Sequence, residues 1–245
     1  MAAQRKPEWI VHQREVLIDV GGATLEGTLA IPSGASGLVL FAHGSGSSRH
    51  SPRNRFVAHM LQSNGVATLL FDLLTRREET IDQRTAEVRF DIPFLAKRLI
   101  GATEWVRKLP ATKQLKIAYF GASTGAAAAL VAAAELPDAI SSVVSRGGRP
   151  DLAAASLDAV RAPTLLIVGG HDEVVVDLNR KALAALCCHD KKLQIIPGAT
   201  HLFEEPGTLE EVARIAGDWF TLWFERVEKP ELESDVPRQP SAVLS

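Results

Sequence analysis

The sequence predicts an α/β fold: a mostly parallel, twisted sheet with helices on both faces and an antiparallel hairpin at its N-terminal end. Three observations carry this expectation. Short, continuous apolar runs of strand length recur along the chain. Helical stretches separate them. Two strand-like runs flank the dipeptide Gly21-Gly22. Continuous apolar runs mark strands covered on both faces, and their alternation with helices implies βαβ units. The chain has 245 residues, enough for one large domain with a substantial core.

The elements follow in order. Residues 15–20 and 23–31 read as the two strands of a hairpin closed by a two-residue glycine turn. The first buried strand is expected at 37–42, and further ones at 66–71, 115–120, 164–168 and 193–196. A weaker run at 140–144 reads as a sixth. Helices are expected at 53–63, ending near Asn64-Gly65, at 84–109 with a break at Pro93, and at 124–136, 177–187 and 209–227. This divides the chain into an N-terminal extension (1–14), one domain (15–227) and a flexible tail (228–245) rich in proline and acidic residues.

Composition narrows the function. The chain is 46% hydrophobic and 23% charged, with a net charge of −2. Nothing in that balance favours nucleic acid or an anionic membrane. No run approaches the roughly 18 apolar residues of a membrane helix, and no apolar stretch follows the basic N-terminus as a secretory signal would require. The two cysteines, Cys187 and Cys188, are adjacent. A strain-free bond between neighbours is not expected, so one core thiol and one half-exposed thiol in a reducing, cytoplasmic setting is the reading. The histidines form no cluster with metal spacing, and no phosphate-loop motif is present.

The chemistry centres on Gly121-Ala122-Ser123-Thr124-Gly125. A buried strand runs straight into it and an alanine-rich helix leaves it. Gly-x-Ser-x-Gly in that context holds a serine hydroxyl above the sheet in a sharp turn that only glycine-sized neighbours permit. The helix N-terminus favours the anion of acyl transfer. A serine nucleophile needs a base and the base an orienting carboxylate. The strand 164–168 ends in Gly169-Gly170-His171-Asp172-Glu173, which offers Asp172, with Glu173 as the rival acid. Asp177 reads as a helix N-cap. The strand 193–196 ends in Pro197-Gly198-Ala199-Thr200-His201, which offers His201, with His171 as the rival. Ser123, Asp172 and His201 thus leave one edge of one sheet in the order serine, acid, histidine. The loop Ala42-His43-Gly44-Ser45-Gly46-Ser47-Ser48 is suited to an oxyanion hole, with the backbone amides of Ser45 and Thr124 as donors and His43 holding the loop.

These segments, together with Val174-Val175 and Leu202-Phe203, resemble the dienelactone hydrolase-like branch of the α/β-hydrolase superfamily over residues 15–227. The resemblance implies an α/β-hydrolase fold, a small ester or lactone substrate, and neither metal nor organic cofactor. Dienelactone hydrolases proper carry cysteine where this chain has Ser123, a departure that favours ordinary ester or lactone hydrolysis. The connection from Ser123 to Asp172 is too short for a large lid.

Seven arginines also fall on loops expected at the catalytic edge: Arg49, Arg53, Arg55, Arg76, Arg77, Arg146 and Arg149. Of these, Arg146, Arg149 and Arg76 are the expected binders of an anionic substrate group. The bland alternative is surface charge neutralised by Glu78, Glu79 and Asp151. The leading function is carboxylic-ester or lactone hydrolysis through an acyl-enzyme. Acyl transfer, perhydrolysis, thioester or peptide cleavage on the same three residues is the alternative, and a non-catalytic binding protein is a third reading. Neither a nucleic-acid nor a membrane partner is expected, and the oligomeric state is not legible.

Overall fold

The computed structural model describes residues 10–226. The expected tail 228–245 lies outside them. The hairpin is longer than its apolar pattern suggests: β1 spans Val11–Asp19 and β2 spans Thr24–Pro32. The expected extension 1–14 therefore gives up Val11–Arg14 to β1, whose edge position leaves those residues exposed and free to be polar. Gly21 (φ +73°) and Gly22 (φ +98°) both take the left-handed backbone of a tight hairpin turn, which Val20 N–H closes on Ala23 O at 3.0 Å.

Six further strands complete one sheet: β3 (Gly37–Ala42), β4 (Ala67–Phe71), β5 (Lys116–Ala122), β6 (Ile140–Arg146), β7 (Thr164–Gly169) and β8 (Lys191–Ile196). Their order is β1-β2-β4-β3-β5-β6-β7-β8. The strands β3 to β8 are parallel, and β2 joins β4 antiparallel. The weakly apolar run at 140–144 is a full strand. Its Ser142 and Ser145 are wholly buried, so polarity disguised it.

Among the described residues six α-helices flank the sheet: α1 (Pro52–Gln62), α2 (Arg76–Thr85), α3 (Ile92–Lys108), α4 (Thr124–Glu135), α5 (Glu173–Ala185) and α6 (Thr208–Glu225). A 3₁₀ helix occupies Pro150–Ala159. The helix expected at 84–109, with a break at Pro93, begins only at Ile92; Arg84 and Thr85 end a separate helix, α2, that the sequence pattern does not predict, and residues 86–91 between them are not helical. Thr75 and Glu78 close a reciprocal cap at the start of α2, and α3 begins afresh at an Asp91 cap with Pro93 in its first turn. Proline lacks the N–H that a helix interior needs but loses nothing there. The core divides into two layers. Apolar side chains of α1 and α6 meet Val39, Phe41, Phe120 and Val144 on one face, where the Phe41 and Phe120 rings lie 4.9 Å apart. Those of α3, α4 and α5 meet Leu38, Leu40, Tyr119 and Val143 on the other.

The registers set the working edge. Ala42 lies opposite Gly121, Ala122 opposite Arg146, and Gly169 opposite Ile196, so the loops after β3, β5, β6, β7 and β8 emerge together. The strand order reverses between β3 and β5, which opens a crevice between their two loops. At the hairpin side this edge is pinned by charge: Arg49 bonds both Asp72 and Glu26, and Arg76 also bonds Glu26.

His43 is 7% exposed and ties β3 to the end of β4. Its Nε2 accepts the Leu73 N–H at 3.1 Å, which leaves the proton on Nδ1 to donate to Gly44 O at 3.0 Å. Burial pushes its pKa below the ordinary 6.5, against the Gly44 hydrogen bond and the charges of Asp72 and Glu79, which pull it up. Between that lowered value and 6.5 the unfolded chain binds more protons than the native one. Stability therefore falls as pH drops through this window, by at most about 1.4 kcal/mol per pH unit. Urea unfolding of His43→Gln should show a flatter dependence between pH 7 and 5 than the wild type. Equal slopes would refute a buried neutral His43.

Candidate active site

Ser123 sits at φ 51°, ψ −120°, a conformation that costs a non-glycine residue about 1–3 kcal/mol. The surroundings hold it there. Ser123 N–H donates to Arg146 O at 3.2 Å, and Ser123 O accepts from Ala126 N–H at 3.1 Å and Arg149 N–H at 3.2 Å. The flanking glycines answer to close packing. A Cβ on Gly121 would stand 2.4 Å from Ala126 Cα, and one on Gly125 would stand 2.2 Å from Ala42 O.

Asp172 and His201 meet as expected. His201 Nδ1 and Asp172 Oδ2 are 2.6 Å apart, across the β7 and β8 loops. Glu173 begins α5 and is exposed, and His171 is exposed beside it. Neither rival takes part in this bond. The helix expected to start near Asp177 starts at Glu173, so Asp172 itself stands at its N-cap. Its carboxylate makes no cap bond there and faces the histidine instead. The two loops are pressed together: Gly170 N–H donates to Ile196 O at 2.8 Å and His171 N–H to Ala199 O at 2.9 Å. A side chain on Gly169 would come within 2.5 Å of two carbonyl oxygens of the β8 loop. Beyond His201, Phe203 is buried at φ 56°, and Thr200 N–H is held by the Glu205 carboxylate at 3.1 Å.

The turn Arg146–Arg149 joins the parts, and sequence reasoning missed it. Its ends bond the Ser123 backbone. Gly147 (φ +53°) lies against the His201 ring, where an added Cβ would sit 3.5 Å from Nδ1. Gly148 O accepts from the side chain of Asn179, a wholly buried residue of α5, at 3.0 Å. Serine elbow, histidine loop and acid-bearing helix all rest on one turn. The signals were a Gly-Gly pair after a strand and a lone Asn on the apolar face of a helix.

The loop after β3 packs on the elbow, with a Cβ on Gly44 only 3.1 Å from Ser123 Cβ. The Thr124 amide is the first of α4 and has no intrahelical acceptor. The Ser45 amide is not free: it donates to Thr124 Oγ1 at 2.8 Å. A narrow pocket borders both residues, lined by Leu73, Leu74 and Leu95 and rimmed by Glu79 and Arg89. Among the described residues no group of three or more His, Cys, Asp or Glu side chains could hold a metal ion, and no helix is long and apolar enough to cross a membrane.

The arginines divide. Arg149 forms a two-pronged pair with Asp151, and Arg76 pairs with Glu26 and is largely exposed. Both were expected to await a substrate, but neighbouring carboxylates already satisfy them. Arg146, expected on a loop, is the last residue of β6 and is 6% exposed. Among the described residues it has no carboxylate partner. Its Nη2 reaches Asn54 Oδ1 at 3.4 Å, its guanidinium lies 5.8 Å from the centre of the Phe203 ring, and its Nε is unsatisfied. Burial, with repulsion from Arg53, pushes its pKa down to about 10, so it remains a cation at neutral pH.

Comparison with known proteins agrees with this fold. A protein of Mycobacterium tuberculosis (strain ATCC 25618 / H37Rv) named "Putative phosphoribosyl transferase" is 56% identical over 213 residues, covering 86% of this chain and 46% of that protein. The chain thus spans about half the length of the curated relatives it matches. The crystal structure of a dienelactone hydrolase from Anabaena variabilis ATCC 29413 is 58% identical, with a TM-score of 0.85 over 86% of this chain and 98% of that one. Est1E from Butyrivibrio proteoclasticus shares the fold at 18% identity, with a TM-score of 0.73 over 86% of this chain and 99% of that one. Residues 25–226 match the Dienelactone hydrolase family, and with an α/β-hydrolase sheet and a Gly-x-Ser-x-Gly elbow the chain belongs to that family.

Proposed function

We propose that this protein is a serine hydrolase that cleaves a carboxylic ester or lactone through an acyl-enzyme. The observation that carries the reading is the 2.6 Å bond between His201 and Asp172, on loops braced by the same turn that holds the strained Ser123. Facing the Asp172 carboxylate, the imidazole carries its proton on Nδ1 and leaves Nε2 to act as base. Ser123 Oγ attacks the acyl carbon as its proton passes to Nε2. The backbone donors of the elbow and the β3 loop stabilise the oxyanion. The carbon–oxygen bond to the leaving alkoxide breaks, and His201 returns the proton to it. Water then attacks the acyl-enzyme with His201 again as base, releasing the acid and the serine hydroxyl. With a lactone, the alkoxide stays attached and the product is a hydroxy acid. Between β6 and β7 there is only the Arg146–Arg149 turn and the 3₁₀ helix, which suits a lidless site open to small substrates. The free thiols, Cys187 exposed and Cys188 buried, suit a reducing compartment and a cytoplasmic location.

The name phosphoribosyl transferase describes relatives about twice as long as this chain. The residues gathered here favour acyl chemistry.

Part of the substrate is proposed to be anionic. Arg146 leaves the strand beside Ser123 as a buried cation with no carboxylate partner among the described residues, whereas the nearby Arg53, at the N-terminus of α1, already pairs with Glu204 at 3.1 Å. A substrate carboxylate reaching Arg146 would gain a charge-assisted bond of roughly 1.5–3 kcal/mol.

Three outcomes test these readings. Intact-mass analysis after fluorophosphonate treatment should show one adduct, absent in Ser123→Ala; an adduct at another serine would refute the nucleophile. His201→Ala should lower kcat by several orders of magnitude and Asp172→Asn by about 10²–10⁴. An active Asp172→Asn beside an inactive Glu173→Gln would move the acid by one residue. The ratio of kcat/KM for a carboxylate-bearing ester over its neutral analogue should exceed one in the wild type and fall about tenfold to hundredfold in Arg146→Gln. An unchanged ratio with lowered stability would make Arg146 a structural tie to Asn54 and Phe203.

A further inference from the structure

The hydrogen bond from Ser45 N–H to Thr124 Oγ1 spans 79 residues of sequence and joins the two loops of the crevice at 2.8 Å. We propose that the Thr124 hydroxyl is a positioning residue, which holds the Ser45 amide against the elbow so that the oxyanion hole stands assembled before charge develops. The inference rests on the acyl-enzyme reading above.

The loop needs such a tether. His43 anchors one end through Leu73, and Arg49 anchors the other through Asp72. Between these anchors Ser45 and Gly46 are exposed, Gly46 turns at φ +66°, and a single backbone bond, Ser47 N–H to Gly44 O at 3.2 Å, spans the stretch. Fixing each free residue of such a loop costs about 1–2 kcal/mol of backbone entropy. Without the tether that cost would fall on the transition state. Thr124 is placed to prevent it. It is 3% exposed, it begins α4, and its branched β-carbon restricts its rotamers.

The chemistry of the bond suits a ground-state holder. A neutral hydroxyl oxygen accepts from the Ser45 amide, while its own proton remains free to donate. When a carbonyl oxygen becomes an oxyanion beside it, the charged acceptor binds an N–H roughly twice as strongly as a neutral one does. The amide can then share its proton between the hydroxyl and the oxyanion, so the tether persists as charge develops. The added charged acceptor favours the transition state over the ground state, which is the condition for catalysis. No bond to Thr124 forms or breaks, and its proton stays on oxygen.

The test compares wild type, Thr124→Val, which keeps the shape and removes the acceptor, and Thr124→Ser, which restores it. Four quantities are read on the full chain: the rate of fluorophosphonate modification of Ser123, kcat and KM for a small acetate ester, and hydrogen exchange at the Ser45 amide. Thr124→Val should slow modification and lower kcat by about 10–100-fold, leave KM within about twofold and speed Ser45 exchange; Thr124→Ser should recover most of the rate. Wild-type rates in Thr124→Val, or equal losses in both variants, would overturn the positioning role while leaving the hydrolase reading intact. Should Thr124→Val fold poorly, Thr124→Ala read by Ser45 exchange decides the matter, and wild-type protection there overturns the role. A wild type that is unmodified at Ser123 and inactive on esters would overturn both readings.

Discussion

The close approach of two backbones at Gly125 is the constraint on which the crevice depends. The first turn of α4 lies against the carbonyls of Ala42 and His43 so closely that a single methyl group would fall 2.2–2.4 Å from both oxygens. This contact brings the loop after β3 beside the serine elbow, and it sets where Ser45 can stand relative to Thr124. The strain at Ser123 follows from the same geometry. The chain must reverse from β5 into α4 within a few residues, and the hydrogen bonds to the Arg146–Arg149 turn hold it in that form. Strain of this size persists only where the surroundings over-determine it.

The helix behind the elbow shows how the packing accommodates that approach. All of Ala126–Ala129 is fully buried, and α4 lies between the sheet and its neighbours α3 and the 3₁₀ helix. Alanine favours the helix intrinsically, and its small side chain lets a helix lie close to the sheet. The same economy recurs at the other loops. Gly148 presses on Ser145 and Ala126, and Gly169 presses on the carbonyls of Ala199 and Thr200. At these joints the site is assembled by main chain against main chain, with little room for larger side chains.

Charge at the loop-bearing edge of the sheet is settled by proximity. Arg49, Arg76 and Arg149 all find carboxylates, on the hairpin, at the end of β4 and two residues along the chain. Arg146 differs because its place at the end of β6 turns it inward, toward Asn54 of α1 and Phe203, and the nearby Glu204 is taken up by Arg53. Burying an unpaired cation is costly. The aromatic face of Phe203 and the amide oxygen of Asn54 offset only part of that cost, and this sets Arg146 apart from its neighbours.

Much of this was legible in the chain itself. Strand runs, helix stretches and the positions of Ser123, Asp172 and His201 follow from apolar periodicity and from glycine-bearing loops, which are local properties. What escaped were elements whose pattern is diluted by environment, the exposed edge of β1 at Val11–Arg14 and the polar helix α2, while the serine-bearing strand β6 was legible only weakly and two residues short. The contact of His201 with Asp172, the pairing of Arg149 with Asp151, the burial of Arg146 and the bond from Ser45 to Thr124 are of another kind. Each depends on distances between segments far apart in sequence or on the direction a side chain takes from a twisted sheet. The sequence alone determined which chemical groups stand at the sheet's edge, because strand, turn and helix signals are written within a few residues. Only the tertiary structure decided which of those groups meet, because hydrogen bonds and ion pairs form over about 3 Å, and that proximity is set by the packing of the whole domain.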